Sequence, residues 1–330
     1  MKKVAALLLA AVMACGLAAC SGGGSSAPAS TAAPASAPAD GEQSYTIGIC
    51  QLMEHDALDA ATQGFKDTLT EKLGGKVVFA EQNAQGEAVN CATIVTKFVA
   101  DGVDLIMANA TPAVKAAKEA TSTIPVVGTS VTGYAASGLV DSDDAPGANV
   151  TGSSDYNPVT NQITLLQKLA PEAKVIGIVY CSGEENSQIQ ADEAEAALTE
   201  AGYEVKRYTF AESSEMSAVF TQAAGEVDAF YEPTDNQVAT NMELVRSVTV
   251  PAGKPVICGE GGMVENGGLA SYGVDYYSIG CAAGEQAYEI LVGGADPAAM
   301  PISEMSTDQL QLVLNEAVAE ELGIDTSVLD

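Results

Sequence analysis

Short β-branched runs alternate with helix-period segments along most of the chain, and the rhythm restarts once near the middle. The strand runs are YTIGICQ from Tyr45, KVVFAE from Lys76, DLIMAN from Asp104 and PVVGT from Pro125, then KVIGIVY from Lys174, EVKRYTF from Glu204, DAFYEP from Asp228 and PVICG from Pro255. Between the first two, apolar Leu58, Ala61, Phe65 and Leu69 recur three and four residues apart. Strand, helix, strand repeated along a chain builds a parallel sheet with helices on both faces. The expected fold class is α/β, with two doubly wound parallel-sheet lobes. GANVTGSSDYNP, around Asn149 to Asp155, predicts a strand that crosses from one lobe to the other. LASYGVDYYSIG predicts a second crossing, because a helix pattern from Ile279 to Leu291 follows it, and LQLVLN from Leu310 predicts a last strand after a third. The expected lobe boundaries are 45–152 plus about 276–305 for lobe I, and 153–275 plus about 306–330 for lobe II. A hinge of several segments lets such lobes bend while resisting other motions.

The front of the chain reads differently. Lys2 and Lys3 precede an apolar run that stops at Leu17, too short for a membrane span and built like a secretory signal, so residues 1–19 are expected to be a signal peptide. Ala18 and Ala19 before Cys20 resemble the lipobox of bacterial lipoproteins, which implies a lipidated Cys20. From there to residue 44 the chain is nearly all Ser, Ala, Pro, Gly and Thr, which cannot bury a core and is expected to be a flexible tether. Charge fits an extracytoplasmic, lipid-anchored location: 14 basic side chains face 44 acidic ones. Such a chain is repelled by phosphate backbones and anionic headgroups, so nucleic acid is excluded as a partner and the lipid must supply the membrane attachment. Beyond Cys15 and Cys20, the cysteines are Cys50, Cys91, Cys181, Cys258 and Cys281, an odd set with no C-x-x-C spacing. They are expected to be small buried hydrophobes.

In parallel α/β sheets, ligands bind outside the carboxyl ends of the strands. Polar residues recur there: Glu54 and His55 after the first strand, Thr111 after the third, Thr129, Ser130 and Thr132 after the fourth. In the second half Cys181 through Ser187, then Thr234, Asp235 and Asn236, then Glu260 take the same position. Singly, each has a structural explanation: Asp56, Thr111 and Thr234 or Asp235 suit helix N-caps, and Pro112 suits a first helical position. Capping does not explain why loops on both lobes offer donors and carboxylates to one gap. His55 is the only histidine, so it cannot form the two-His pairs of zinc hydrolases. No metal, cofactor or catalytic residue is assigned.

EHDALDAATQGF, EQNAQGE from Glu81, KFVADGVDLI from Lys97, ATPA from Ala110, PTDN from Pro233 and YGVDYYSIG from Tyr272 resemble the substrate-binding lipoproteins of a bacterial ABC importer family that includes members binding tryptophan and other aromatic amino acids. The resemblance runs over nearly all of the chain from Tyr45, with one departure, Asp56 where proline is expected after Glu-His. It implies a type I periplasmic-binding-protein fold, capture of a small ligand between the lobes, a monomer, and delivery to a permease and its ATPase. Thr111, Thr129 and Ser130, with the helix opened by Pro112, are then expected to hold a ligand carboxylate. Asp235 and Asp275 are expected to hold an ammonium. Glu54, His55, Ser187, Asn236, Glu260 and Tyr276 complete the expected ligand-binding set, and the rings of Tyr134 and Tyr276 could sandwich a side chain. The cleft loops offer no basic residue, which favours tryptophan, tyrosine, phenylalanine or a branched aliphatic amino acid. Two other readings stay open: a lipid-anchored ligand sensor, and a cleft hydrolase using paired carboxylates. Against the hydrolase, the chain has no G-x-S-x-G, H-E-x-x-H or G-x-x-x-x-G-K-[ST].

Overall fold

Burial on both faces of the strands sets the architecture. In β1 (Tyr45–Gln51), Ile47 and Ile49 enter one core while Cys50 enters another, so the stretch from Ile47 to Cys50 is apolar on both faces and does not alternate. The computed structural model describes residues 44–329; the expected leader, Cys20 and the tether up to residue 43 lie outside the described residues. The other strands are β2 (Val77–Asn83), β3 (Leu105–Asn109), β4 (Val126–Val131), β5 (Val150–Ser154), β6 (Val175–Cys181), β7 (Glu204–Phe210), β8 (Ala229–Glu232), β9 (Val256–Cys258), β10 (Ala270–Gly273) and β11 (Gln311–Leu314). The helices are α1 (Asp56–Leu73), α2 (Ala88–Asp101), α3 (Thr111–Ala120), α4 (Val159–Leu169), α5 (Glu185–Glu200), α6 (Met216–Ala224), α7 (Asn236–Thr240), α8 (Met242–Thr249), α9 (Gly261–Glu265), α10 (Tyr276–Leu291) and α11 (Glu316–Leu322).

The first five strands form one sheet in the order β2-β1-β3-β4-β5, with every pair parallel. The rest form a second in the order β11-β10-β9-β8-β6-β7. It is parallel except where β10 meets β11. Every expected strand run forms a strand. β11 departs from the all-parallel pattern because the chain leaves β10 for the first sheet and re-enters at the same end, so it must run back the other way. In the first sheet α1 and α10 cover one face through Phe65, Leu69, Ala283 and Ala287, and α2 and α3 cover the other through Val95, Phe98, Ala113 and Val114. The second sheet is sandwiched likewise, by α4, α5 and α11 on one face and by α6, α8 and α9 on the other.

The chain passes between sheets three times: from β5 to α4, from β10 to α10, and through the segment around Ser303 to β11. At the last, the Ser303 N–H donates to the Gly152 carbonyl and the Ser154 N–H to the Ser303 carbonyl, both at 2.8 Å. These bonds tie two of the passages into one ribbon. The strand order reverses direction at β1 and β3 in one sheet and at β6 and β8 in the other. Crevices open outside the carboxyl ends at such switch points.

One buried carboxyl stands apart from this scheme. Glu232 ends β8 fully buried, and neither carboxylate oxygen has a partner in hydrogen-bonding geometry. Burial pushes its carboxyl well above the usual range and the Asp235 carboxyl adds to this, while the Val179 N–H offsets it in part. Glu232→Met is expected to raise stability near pH 7 by about 1–4 kcal/mol, as replacing buried ionisable groups by apolar ones often does. A carboxyl whose native pKa is raised loses stability as pH climbs from its unfolded value, about 4.3, through the native one. Wild-type stability should therefore fall over that window, and the variant's should fall less. Urea denaturation at pH 5 and pH 8 measures both; identical pH slopes would place the ionisation elsewhere.

Candidate functional site

The loops at the two switch points meet in a narrow cavity between the lobes. In this closed form the loops leave only about 10 Å³, room for no more than a water molecule, so a larger ligand is admitted only as the lobes part. His55, Leu58, Ser130 and Thr132 line it from the first lobe, and Asp155 and Tyr276 from the crossing segments. Asn186, Thr234, Asp235, Asn236, Ala239 and Glu260 line it from the second. No lysine or arginine is among them.

Asp155 follows directly on β5. Its Oδ2 accepts from the Tyr276 hydroxyl at 2.8 Å, while Oδ1, equally buried, has no partner. Burial raises the carboxyl above its ordinary range, and the Tyr276 hydroxyl with the nearby Thr132 opposes the rise. Across the cavity Glu260 caps α9, accepting from the N–H groups of Gly262 at 2.9 Å and Met263 at 3.0 Å. Burial pushes it up to about 7 against those two bonds, with Asp155 adding to the rise. Two buried carboxyls close enough for the charge of Asp155 to raise Glu260, with no lysine or arginine in the lining, make a place for a positively charged ligand. Ser130 stands near Asp155 on β4, where the pairing with β5 slips between Gly128 and Val131. Its φ is 56° and its buried hydroxyl has no partner. A non-glycine residue held at positive φ costs about 1–3 kcal/mol and belongs to the strain that collects at binding sites.

The second-lobe wall is held by a network of its own. Asp235 caps α7 through the Val238 N–H at 2.9 Å and accepts from the Cys181 N–H at 2.7 Å, so both its oxygens are engaged. Glu184 accepts from the Asn236 N–H at 3.0 Å, the Asn236 Nδ2 at 2.6 Å and the Gln237 N–H at 3.1 Å. Burial raises both carboxyls, and Asp235 adds to the rise at Glu184. With Asn236 Nδ2 committed to Glu184, its Oδ1 is left to accept from His55 Nε2 at 3.1 Å, which places the imidazole proton on Nε2. Burial lowers the His55 pKa, in keeping with a neutral ring. His55 thus fastens one lobe to the other. Asp56 with Asn266 Nδ2, at 2.8 Å, and Lys115 with Glu185, at 2.7 Å, bridge the rim on either side.

Of the expected set, His55, Ser130, Asp235, Asn236, Glu260 and Tyr276 line the cavity. Glu54 does not: it is exposed and faces open grooves on the outside. Thr111 and Pro112 line a separate groove at the rim with Lys115 and Glu185. Thr129 is buried in the sheet, its hydroxyl accepting from Ser153 Oγ at 3.0 Å, and Ser187 lies wholly buried behind Asn186. Asp275 caps α10, accepting from the Tyr277 N–H at 3.1 Å and Ser278 Oγ at 2.6 Å, which turns its carboxylate away from the cavity. Tyr134 is buried with its hydroxyl donating to the Ser153 carbonyl, so no ring sandwich forms with Tyr276. Nor are Asp56 and Thr111 caps: His55 and Ala110 take those positions without a capping side chain. Leu58, Thr132, Asp155, Asn186, Thr234 and Ala239 line the cavity and lie outside the expected ligand-binding set, although Thr132 and Thr234 stand at the strand ends singled out in the sequence. A carboxylate immediately after a crossing strand was the available signal for Asp155.

A sequence profile of the ABC transporter substrate binding protein family matches residues 46–328. The chain belongs to that family. This substrate-binding protein is 36% identical over 326 residues to the tyrosine-binding protein of Clostridioides difficile (strain R20291), spanning 98% of this chain and 93% of that one. An ABC domain from Streptococcus pneumonia in complex with L-Trp is 35% identical with a TM-score of 0.83, covering 87% of this chain and 98% of that one. A ligand-free, open structure of a substrate-binding protein with adhesive properties from Clostridium difficile is 36% identical with a TM-score of 0.66, covering 86% and 96%. The two-lobed α/β architecture is the type I periplasmic-binding-protein fold. Substrate-binding proteins of ABC importers work outside the cytoplasm; among the described residues no helix is long and apolar enough to cross a membrane.

Proposed function

We propose that this substrate-binding protein captures an aromatic amino acid in the interlobe cavity and hands it to an ABC permease and its ATPase. In this reading it is a monomer without catalytic activity, held at the membrane by a lipid on Cys20. The observation that carries the ligand class is the unpartnered Oδ1 of Asp155, in a cavity lined also by Glu260 and by no lysine or arginine. An α-ammonium satisfies that oxygen, and the ligand carboxylate takes the free Ser130 hydroxyl. Leu58 and Ala239 line the way for an apolar side chain. The aromatic choice is supported by the relatives, one named for tyrosine and one holding L-Trp. Closure around the ligand is supported by the unequal superpositions: at near-equal identity the chain fits the L-Trp complex far better than the open, ligand-free protein. Bonds across the rim would shift the open–closed equilibrium only as far as the ligand favours the closed state.

A thermal-shift screen of the purified chain tests the ligand class, since a ligand that binds only the folded state raises its melting temperature. Tyrosine, tryptophan or phenylalanine should give the largest shift, and the corresponding amides or decarboxylated amines little. A response confined to ribose, nucleosides or peptides would overturn the amino-acid reading. Affinity should also depend on pH. Glu260, with a pKa of about 7 in the empty cavity, must shed its proton to face an ammonium. Binding therefore releases a proton below pH 7, and affinity should fall by up to about tenfold per pH unit as pH drops from 7 to 5. Calorimetry across that range measures the slope, and Glu260→Gln should flatten it.

A further inference from the structure

Four buried polar atoms in the cavity lining have no partner, and they fall into two groups. Ser130 Oγ and Asp155 Oδ1 belong to the first lobe and its crossing strand, where the amino and carboxyl groups of the ligand are accounted for. Asn186 Oδ1 and Thr234 Oγ1 belong to the second lobe. Asn186 is only 4% exposed, and its amide orientation is fixed. Its Nδ2 donates to the Thr234 carbonyl at 2.9 Å and lies within 3.2 Å of Glu184 Oε2 and 3.3 Å of Ser187 Oγ, so a flip would set oxygen against oxygen. Asn186 Oδ1 is therefore a buried acceptor waiting for a donor, and the hydroxyl of Thr234, the residue whose carbonyl Asn186 holds, can both give and take a hydrogen bond.

We infer that Asn186 and Thr234 read a hydroxyl at the far end of the ligand side chain, making tyrosine the preferred ligand over tryptophan and phenylalanine. The inference rests on the amino-acid reading proposed above and adds the recognition of the ring. A phenol donates to Asn186 Oδ1 and accepts from Thr234 Oγ1, so one group satisfies both atoms. An indole N–H donates only, and leaves the threonine unmet. A phenyl ring buries both without a partner, and sites built to hydrogen-bond a ligand hydroxyl reject analogues that lack it.

Calorimetric titration of the wild-type chain with tyrosine, tryptophan and phenylalanine tests this without any mutation. Tyrosine is expected to bind on the order of 100-fold more tightly than phenylalanine, with tryptophan between them. Thr234→Val, which removes the hydroxyl and keeps the shape, should weaken tyrosine by about tenfold and leave phenylalanine unchanged or improved, narrowing the ratio. Equal affinities for tyrosine and phenylalanine in the wild type, or a ratio unmoved in Thr234→Val, would overturn the assignment while leaving the amino-acid site intact. No binding by any of the three would overturn the amino-acid reading itself, and this assignment with it.

Discussion

Asparagine in place of Asp155 is expected to weaken binding of an aromatic amino acid by about 100-fold or more, with no loss of stability in the empty protein. Removing one partner of a buried, hydrogen-bonded charge pair costs about 2–5 kcal/mol, and each 1.4 kcal/mol is tenfold in affinity. Asparagine preserves the volume, and its carbonyl oxygen can still accept from the Tyr276 hydroxyl. The amide nitrogen then stands where Oδ1 was, offering a donor to an ammonium that needs an acceptor. In the empty cavity the same change removes a carboxyl that burial already disfavours, so folding does not suffer. Asp275 supplies the contrast. Its carboxylate caps α10 outside the cavity, so Asp275→Ala should leave affinity unchanged and lower stability by about 1 kcal/mol. Calorimetry and chemical denaturation on both variants separate the two roles; full affinity in Asp155→Asn would remove Asp155 from the site.

Alanine at Gly280 is expected to cost about 3 kcal/mol or more of stability, at the severe end of what overpacking does. Helices α1 and α10 cross so closely that a Cβ on Gly280 would strike the Ala61 carbonyl and lie 2.8 Å from Ala61 Cα. Gly284, one turn on, leaves no more room: its Cβ would fall 2.8 Å from Thr68 Cβ. These are collisions with helix backbone and a β-branched side chain, and neither can swing aside. α10 begins with Tyr276 and α1 follows His55 and carries Leu58, so a crossing pried apart should also misplace three cavity residues and weaken the ligand. Gly75→Ala is the control, because a Cβ there meets nothing within 4 Å and the substitution should stay within about 0.5 kcal/mol of wild type. Equal urea midpoints for Gly280→Ala and Gly75→Ala would mean that α1 and α10 can part without cost.

Strand periodicity was the most legible level of this protein, because strands buried on both faces must be apolar throughout. YTIGICQ and KVIGIVY state that requirement in sequence, and both are central strands. The antiparallel turn of β11 was not legible, since a four-residue edge strand carries no mark of its direction. At the site, residues that follow a strand and begin a loop reach the cavity lining, as His55, Ser130, Asp235, Asn236 and Glu260 do. Other expected residues stand close to the cleft with side chains directed elsewhere. Asp275 and Thr129 follow or end elements near the cleft, yet one turns back to cap its helix and the other points into the sheet.

Local chemistry therefore determined the α/β class, the two series of strands and the loops that could supply a site. Alternation, helix period and loop polarity act over a few residues and leave their record in order along the chain. Only the tertiary structure decided which polar atoms stay free once the lobes meet. Asp155 differs from Asp235 and Asp275 only in what surrounds it, and its surroundings come from segments far apart in sequence, as in the bond to Tyr276, 121 residues away. A carboxylate that finds an N–H becomes a cap; one that finds none inside a closed cavity is left for a ligand.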